Sequence, residues 1–159
     1  MTTITSRGPA LIDYLVTLFT ANLPGVTVYD GPATTEASPA QVLYVGLSDP
    51  DNANGQPAYD SQQQWAALGR RARDEDVTIH CCAEAWSGDD TVKPNRDSCN
   101  AILAAVETLL QADATQFGGN VLFPNPGLTN VSAPQNNTST GGLVRQSFDL
   151  VFRCRIGGF

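Results

Sequence analysis

The stretch VTIHCCAEAWSGDD, residues 77–90, holds the chain's single histidine, two of its four cysteines and one of its two tryptophans. Two chemistries are open to such a cluster: metal binding and attack by an activated thiol. Its rhythm bears on both. Val77, Ile79, Cys81, Ala83 and Ala85 alternate with Thr78, His80, Cys82, Glu84 and Trp86, which predicts a strand whose successive side chains point to opposite faces. His80 and Cys82 then share one face while Cys81 joins the apolar one, so the triplet does not converge on one ion. A zinc site needs further ligands, yet Cys99 falls on the apolar stripe of a helical segment and Cys154 on the apolar face of a late strand. No Cys-x₂-Cys pair occurs. Cys81, Cys99 and Cys154 are expected to behave as small core hydrophobes; Cys82 is left open. For a thiol hydrolase, His80, Cys82 and Glu84 do line one face, but strand geometry spaces alternate residues by ~6.5–7 Å. No Gly-rich elbow or helix N-terminus accompanies either cysteine to activate it.

Other candidates are weaker. Asp49 and Asp51 occupy the first and third places of a calcium-loop pattern, but the fifth, sixth and twelfth places hold Ala53, Asn54 and Asp60 where ligand, Gly and Glu are required. No phosphate loop, dinucleotide fingerprint, nucleophile elbow or His-x-x-x-His pattern occurs. No catalytic, metal or cofactor-binding residue is therefore assigned, and no cofactor is expected. The chain reads as a part of an assembly rather than an enzyme.

The elements that would position these side chains follow from periodicity. Residues 9–22 predict an amphipathic helix, with Leu11, Tyr14, Leu15, Leu18 and Phe19 at helical spacing, Pro9 in the first turn and Asn22-Leu23-Pro24-Gly25 as its stop. Short strands are expected at 26–31 and 42–47, able to pair as neighbours. Residues 48–64 are nearly free of apolar side chains and predict a long exposed loop. After the strand at 77–87 comes the strongest helix, 94–112, with Cys99, Ile102, Leu103, Val106, Leu109 and Leu110 in one stripe. A short strand at 121–123, a loop or loose hairpin to 141, and a long alternating strand at 143–156 complete the chain. In that last strand Val144, Phe148, Leu150, Phe152, Cys154 and Ile156 face one way, and Arg145, Ser147, Asp149, Arg153 and Arg155 the other. The expected fold is a single α+β domain over 1–159: a mixed, mostly antiparallel sheet with two amphipathic helices packed on one face.

A chain of 159 residues buries ~68–70% of its unfolded surface without help from disulfides or metal. Net charge is −7 and the sequence pI near 4.4, which argues against a grip on nucleic acid by phosphate neutralisation and against adhesion to anionic membranes. The charge is uneven. Residues 1–29 sum to zero; residues 30–113 carry fourteen acids against five bases, −9; residues 114–159 carry three arginines against Asp149, +2. This polarity suits either a head-to-tail contact between copies or a solvated acidic face. The N-terminal segment has neither a signal peptide's basic region nor an uninterrupted apolar run, so synthesis and retention in a cytoplasm are expected, with reduced cysteines.

The segment at 65–110 carries a pattern: Trp65, Leu68-Gly69, Arg71 to Glu75, an alternating strand closing in Ala85 to Asp89, Arg96-Asp97, and an amphipathic helix ending in Val106 to Thr108. This pattern resembles the tail terminator proteins of long-tailed, siphovirus-type phages of actinobacteria. The segments LIDYLVTLFTANLPGVTVYDGP at 11–32 and VRQSFDLVFRCRI at 144–156 look like the same family, so the resemblance spans most of the chain. It implies a virion structural protein, assembled in the host cytoplasm and located at the head–tail junction. Such a protein forms a homohexameric ring that caps the head-proximal end of the tail tube, stops tube polymerisation and offers the surface that docks the head–tail connector (stopper) protein. Its partners would be itself, the tail tube protein and the connector, with DNA only in transit through the lumen and no membrane. Acidic charge suits a channel that must release DNA.

Two sets of residues are expected to serve these contacts. Arg145, Arg153 and Arg155 face either an acidic region of a neighbouring copy that includes Asp74, Glu75 and Asp76, or intrachain partners. Asp49, Asp51, Asn54 and Tyr59 in the first polar loop, and Asn125 and Asn130 in the second, are candidate tube or connector contacts. Rival readings are a head-side completion ring, a thiol hydrolase built on His80 and Cys82, and a monomeric small-ligand module.

Overall fold

The computed structural model describes residues 4–33, 39–66, 71–88, 91–122, 127–132, 135–138 and 141–157. In chain order it runs α1 (Gly8–Asn22), β1 (Thr27–Asp30), β2 (Gln41–Val45), a 3₁₀ turn at Pro50–Asn52, and β3 (Tyr59–Trp65). There follow β4 (Arg73–Ser87), α2 (Lys93–Ala112), a single turn α3 (Gln116–Gly119), β5 (Gly127–Ser132), β6 (Gln135–Thr138) and β7 (Gly141–Ile156). The α+β expectation holds. The sheet is mixed and mostly antiparallel, because only β1 and β2 pair in parallel.

Its spine is the antiparallel pair β4 and β7, in unbroken register from Arg73↔Ile156 to Ser87↔Gly142. Each outer edge of this ribbon is shared by two shorter strands. Along β4, β3 pairs with residues 73–79 and β2 with residues 81–85; along β7, β5 pairs around 147–151 and β6 at 141–144. The alternation read from the sequence sets the two faces. Val77, Ile79, Cys81 and Ala83 of β4 and Phe148, Leu150, Phe152 and Cys154 of β7 are buried beneath α1 and α2, which contribute Leu11, Leu15, Phe19, Ile102, Val106 and Leu110.

Helix α1 starts at a glycine for a steric reason. A Cβ at Gly8 would lie 2.4 Å from the ring of Tyr59, so the aromatic ring of β3 packs directly on the helix backbone. The helix stops where the Leu23 N–H bonds to the Phe19 carbonyl and Gly25 adopts φ 77°, a left-handed conformation that glycine enters without steric cost.

Three expectations need correction. Residues 48–64 are not one exposed loop: the loop ends near residue 58, and Tyr59–Trp65 forms β3. The polar sequence Tyr-Asp-Ser-Gln-Gln-Gln conceals a flank strand, whose side chains face water on both sides for most of its length. No strand forms at 121–122, and Phe123 lies outside the described residues. Val121 is buried in the core and the Leu122 N–H bonds to the Arg153 carbonyl at 2.8 Å, so this apolar island plugs the outer edge of β7. Before it, Gln116, Phe117, Gly118 and Gly119 all have positive φ, a left-handed turn that costs roughly 1–2 kcal/mol per non-glycine residue. Burial of the Phe117 ring, edge-on to Tyr14 and Phe152 at 5.8 and 5.1 Å between centroids, offsets this. Third, β5 and β6 do not form a hairpin with each other; both lie against β7, with a register shift between Thr129 and Ser132 where Asn130 takes φ 52°.

Candidate functional site

The sheet face turned away from the helices carries Arg145, Arg153, Arg155, Asp74, Asp76, His80, Cys82 and Glu84, and strand register places them in rows across it. From one end the rows are Gln64–Asp74–Arg155, Gln62–Asp76–Arg153, Thr78–Val151, His80–Asp149–Thr129, Tyr44–Cys82–Ser147, and Val42–Glu84–Arg145. Acid and base thus meet across the β4–β7 ribbon.

Cys82 is buried on this outer face, in a small apolar cluster with Val42, Tyr44 and Leu47, with Tyr29 and Ala53 packed against it. The cover is the loop 47–56, which is tied internally. The Gln56 side-chain oxygen accepts from Ser48 N, Ser48 Oγ and Asp49 N, and its Nε2 donates to the Asp49 and Asn52 carbonyls. Asp49 caps the 3₁₀ turn by accepting from Asp51 N at 3.0 Å, and Asn52 Nδ2 donates to its other oxygen at 2.8 Å; these bonds hold its carboxyl below the usual range. Asn54 is exposed at the tip.

Arg145 fastens this loop to the sheet: Nε donates to Glu84 Oε2 at 2.7 Å, while Nη1 donates to Asp51. Burial opposes its charge, but the two carboxylates outweigh burial and hold the guanidinium above its ordinary value. At the other end Arg155 Nε lies 2.7 Å from Asp74 Oδ1, and Arg153 Nε lies 3.7 Å from Asp76 Oδ1. The Arg155 bond keeps the Asp74 carboxyl below its usual range. All three arginines therefore have partners within the chain.

Glu75 and Tyr59 depart from the sequence expectation. Glu75 is fully buried on the helix side, where it accepts from Ser6 Oγ, from Arg7 N at 2.8 Å and from Ser61 Oγ at 2.7 Å. It fixes the start of α1 to β3 and β4 and has no surface to offer a neighbour. Tyr59 is a β3 residue packed on Gly8 and the core, not a loop tip. Asn130 donates to Asp149 Oδ2 at 2.8 Å. Asn125 lies outside the described residues.

His80 is held from both sides. Its Nδ1 lies 2.7 Å from Asp149 Oδ1 and its Nε2 lies 2.8 Å from Asp60 Oδ2. Both nitrogens are therefore engaged by carboxylates, while the Cys82 thiol is directed to the Ala83 carbonyl at 3.7 Å, so these residues form no imidazole–thiol dyad. Burial pushes the thiols of Cys81, Cys82, Cys99 and Cys154 up to about 12, which keeps them protonated and unreactive near neutrality. Among the described residues no group of three or more His, Cys, Asp or Glu side chains is arranged to hold a metal ion, and no helix is long and apolar enough to cross a membrane.

Asp60 and Gln56 escaped the sequence reading. Asp60 becomes visible only once β3 is recognised: register sets it opposite Thr78, and its side chain reaches diagonally to His80, two residues on along β4. Nothing in the sequence marks Gln56. No protein-family model matches the chain, and no curated protein matches it to a significant degree.

Proposed function

We propose that the chain is a structural subunit of a long-tailed phage: a tail terminator that assembles as a ring of six on the head-proximal end of the tail tube, ends tube growth and presents the surface for the head–tail connector. The observation that carries this reading is the residue pattern at 65–110. Its described members fall at structural punctuation: Trp65 at the end of β3, Arg71 to Glu75 leading into and opening β4, Ala85 to Gly88 at its close, Arg96-Asp97 in the opening turns of α2, and Val106 to Thr108 in its last turns, while Leu68, Gly69 and Asp89 lie outside the described residues. A pattern of this kind marks a fold and its junctions rather than a catalytic centre.

Closed rings of identical subunits use heterologous contacts, in which two different surfaces meet. The sheet offers two unlike flanks, with Trp65 71% exposed on the β3 side and Val131 55% exposed on the β5 side. In this reading the subunit acts by geometry and carries no cofactor; DNA crosses its lumen only in transit. Because the three arginines of β7 are already paired within the chain, they serve to stiffen the sheet, and the exposed flanks take over as the subunit contact.

Electron microscopy of the purified protein, and of tails assembled with and without it, tests the proposal. Rings of six and overlong tails in its absence are expected. A protein that stays monomeric in the presence of tail tube and leaves tail length unchanged overturns it, and co-purification with capsids instead of tubes moves it to a head-side ring.

A further inference from the structure

We propose that His80 is a proton-held clasp: with both ring nitrogens protonated it ties the flank strand β3 to the β4–β7 ribbon through Asp60, and loss of one proton releases that tie. The geometry carries this. A carboxylate only accepts hydrogen bonds and a neutral imidazole has a single N–H. Two carboxylate oxygens at 2.7 and 2.8 Å from the two ring nitrogens are both satisfied only by the imidazolium.

The two sides of the clasp are unequal. Asp149 is 15% exposed and is also held by Asn130, whereas Asp60 is 67% exposed on a flank strand. When the ring loses a proton, the remaining one stays on Nδ1 toward Asp149. Nε2 then turns its lone pair on the Asp60 carboxylate, which swings into water. His80 also stands at the junction where β3 gives way to β2 along β4: its backbone N–H donates to the Ala58 carbonyl at 3.2 Å, and its carbonyl accepts from Gly46 N and Leu47 N. A loosened side chain here acts at the first rung of β3.

The groups facing the ring are few. β3 supplies Asp60, β7 supplies Asp149 between Ser147 and Val151, β5 supplies Asn130, and β4 supplies Thr78 and Cys82 on either side. The next charges along the face, Asp76 with Arg153 and Glu84 with Arg145, are paired with one another. Burial of the ring works against its charge, but the bonds and fields of Asp149 and Asp60 prevail and raise its pKa above the ordinary value of 6.5. A raised histidine contributes stability in full below its unfolded pKa and loses it as pH climbs through the folded one. The clasp therefore opens on going from mildly acidic to mildly alkaline solution. This inference does not depend on the assembly reading.

Hydrogen exchange of the full chain, read by peptide from roughly pH 6 to roughly pH 8.5 and corrected for intrinsic rates, tests it. Protection of 59–65 should fall about three- to fivefold across that range, the scale of a partly exposed ion pair, while 81–87 and 143–151 hold steady. Asp60→Asn and His80→Gln should each abolish the step and leave 59–65 at its high-pH level. The His80 ring resonance should titrate above 6.5 in the native protein and lower in Asp60→Asn. Protection of 59–65 that is flat with pH in the native protein, or a full step retained in Asp60→Asn, overturns the proposal.

Discussion

The two ends of the sheet's outer face are made by the same pair of strands, in the same register, and both place an acid of β4 opposite an arginine of β7. At one end the loop 47–56 lies over Cys82, Tyr44 and Val42, and the side chain of Arg145 is left 15% exposed between Glu84 and Asp51. At the other end the arginines stand more open, Arg153 and Arg155 being 42% and 43% exposed, although Asp74 is itself only 16% exposed. Alternation along a strand decides that such pairs form. Whether one is a structural tie or a solvated ornament depends on cover from elsewhere in the chain, because burial removes the water that would otherwise serve either partner alone.

The sharpest way to break this comparison is at the covered end. Arg145→Ala leaves Glu84 with no cation in a half-buried site and frees the loop, so a loss of about 2–3 kcal/mol is expected in urea unfolding. A loss no greater than that of Arg153→Ala would mean that the cover has no energetic meaning. A smaller effect is expected from Cys82→Ser, which puts a hydroxyl into the apolar cluster at a cost of about 1–2 kcal/mol. In the native protein a thiol reagent should modify Cys82 no faster than the buried Cys81 and Cys154, with all of them reacting on denaturation; prompt labelling of Cys82 alone would show that the loop opens. The smallest effect belongs to the open end. Arg153→Ala should change stability by no more than about 0.5 kcal/mol, and high salt should erase the difference.

These ends also show how far the sequence was legible. Where side chains alternate against a core, as in β7, α1 and α2, period alone located the element within a residue or two; β4 closes where expected but begins four residues earlier, at Arg73, where charged side chains mask the alternation. Where an element has water on most sides the signal disappears, and Ser61 to Gln64 resemble a loop although β4 gives them a full ladder of partners. Phe117 was missed for another reason: its left-handed backbone has no periodic signature, and only the two glycines after it hint at the turn. The acid–base pairs were visible only as alternatives, intrachain or between copies, and it is register that shows the intrachain pairs to form. Glu75 looked like one more member of an acidic run, yet its odd place in the strand turns it inward to the start of α1.

The β4–β7 ribbon has a mechanical consequence. Its unbroken run of pairs extends about 50 Å at strand rise, and no bulge interrupts it. Each flanking strand, by contrast, spans only part of that length, and β5 is kinked at Asn130. A load along the strands is shared by every rung of the ribbon at once, so the spine behaves as a beam. The four shorter planks beside it have fewer rungs to hold them, so deformation falls first on the flanks while the long axis of the sheet keeps its length.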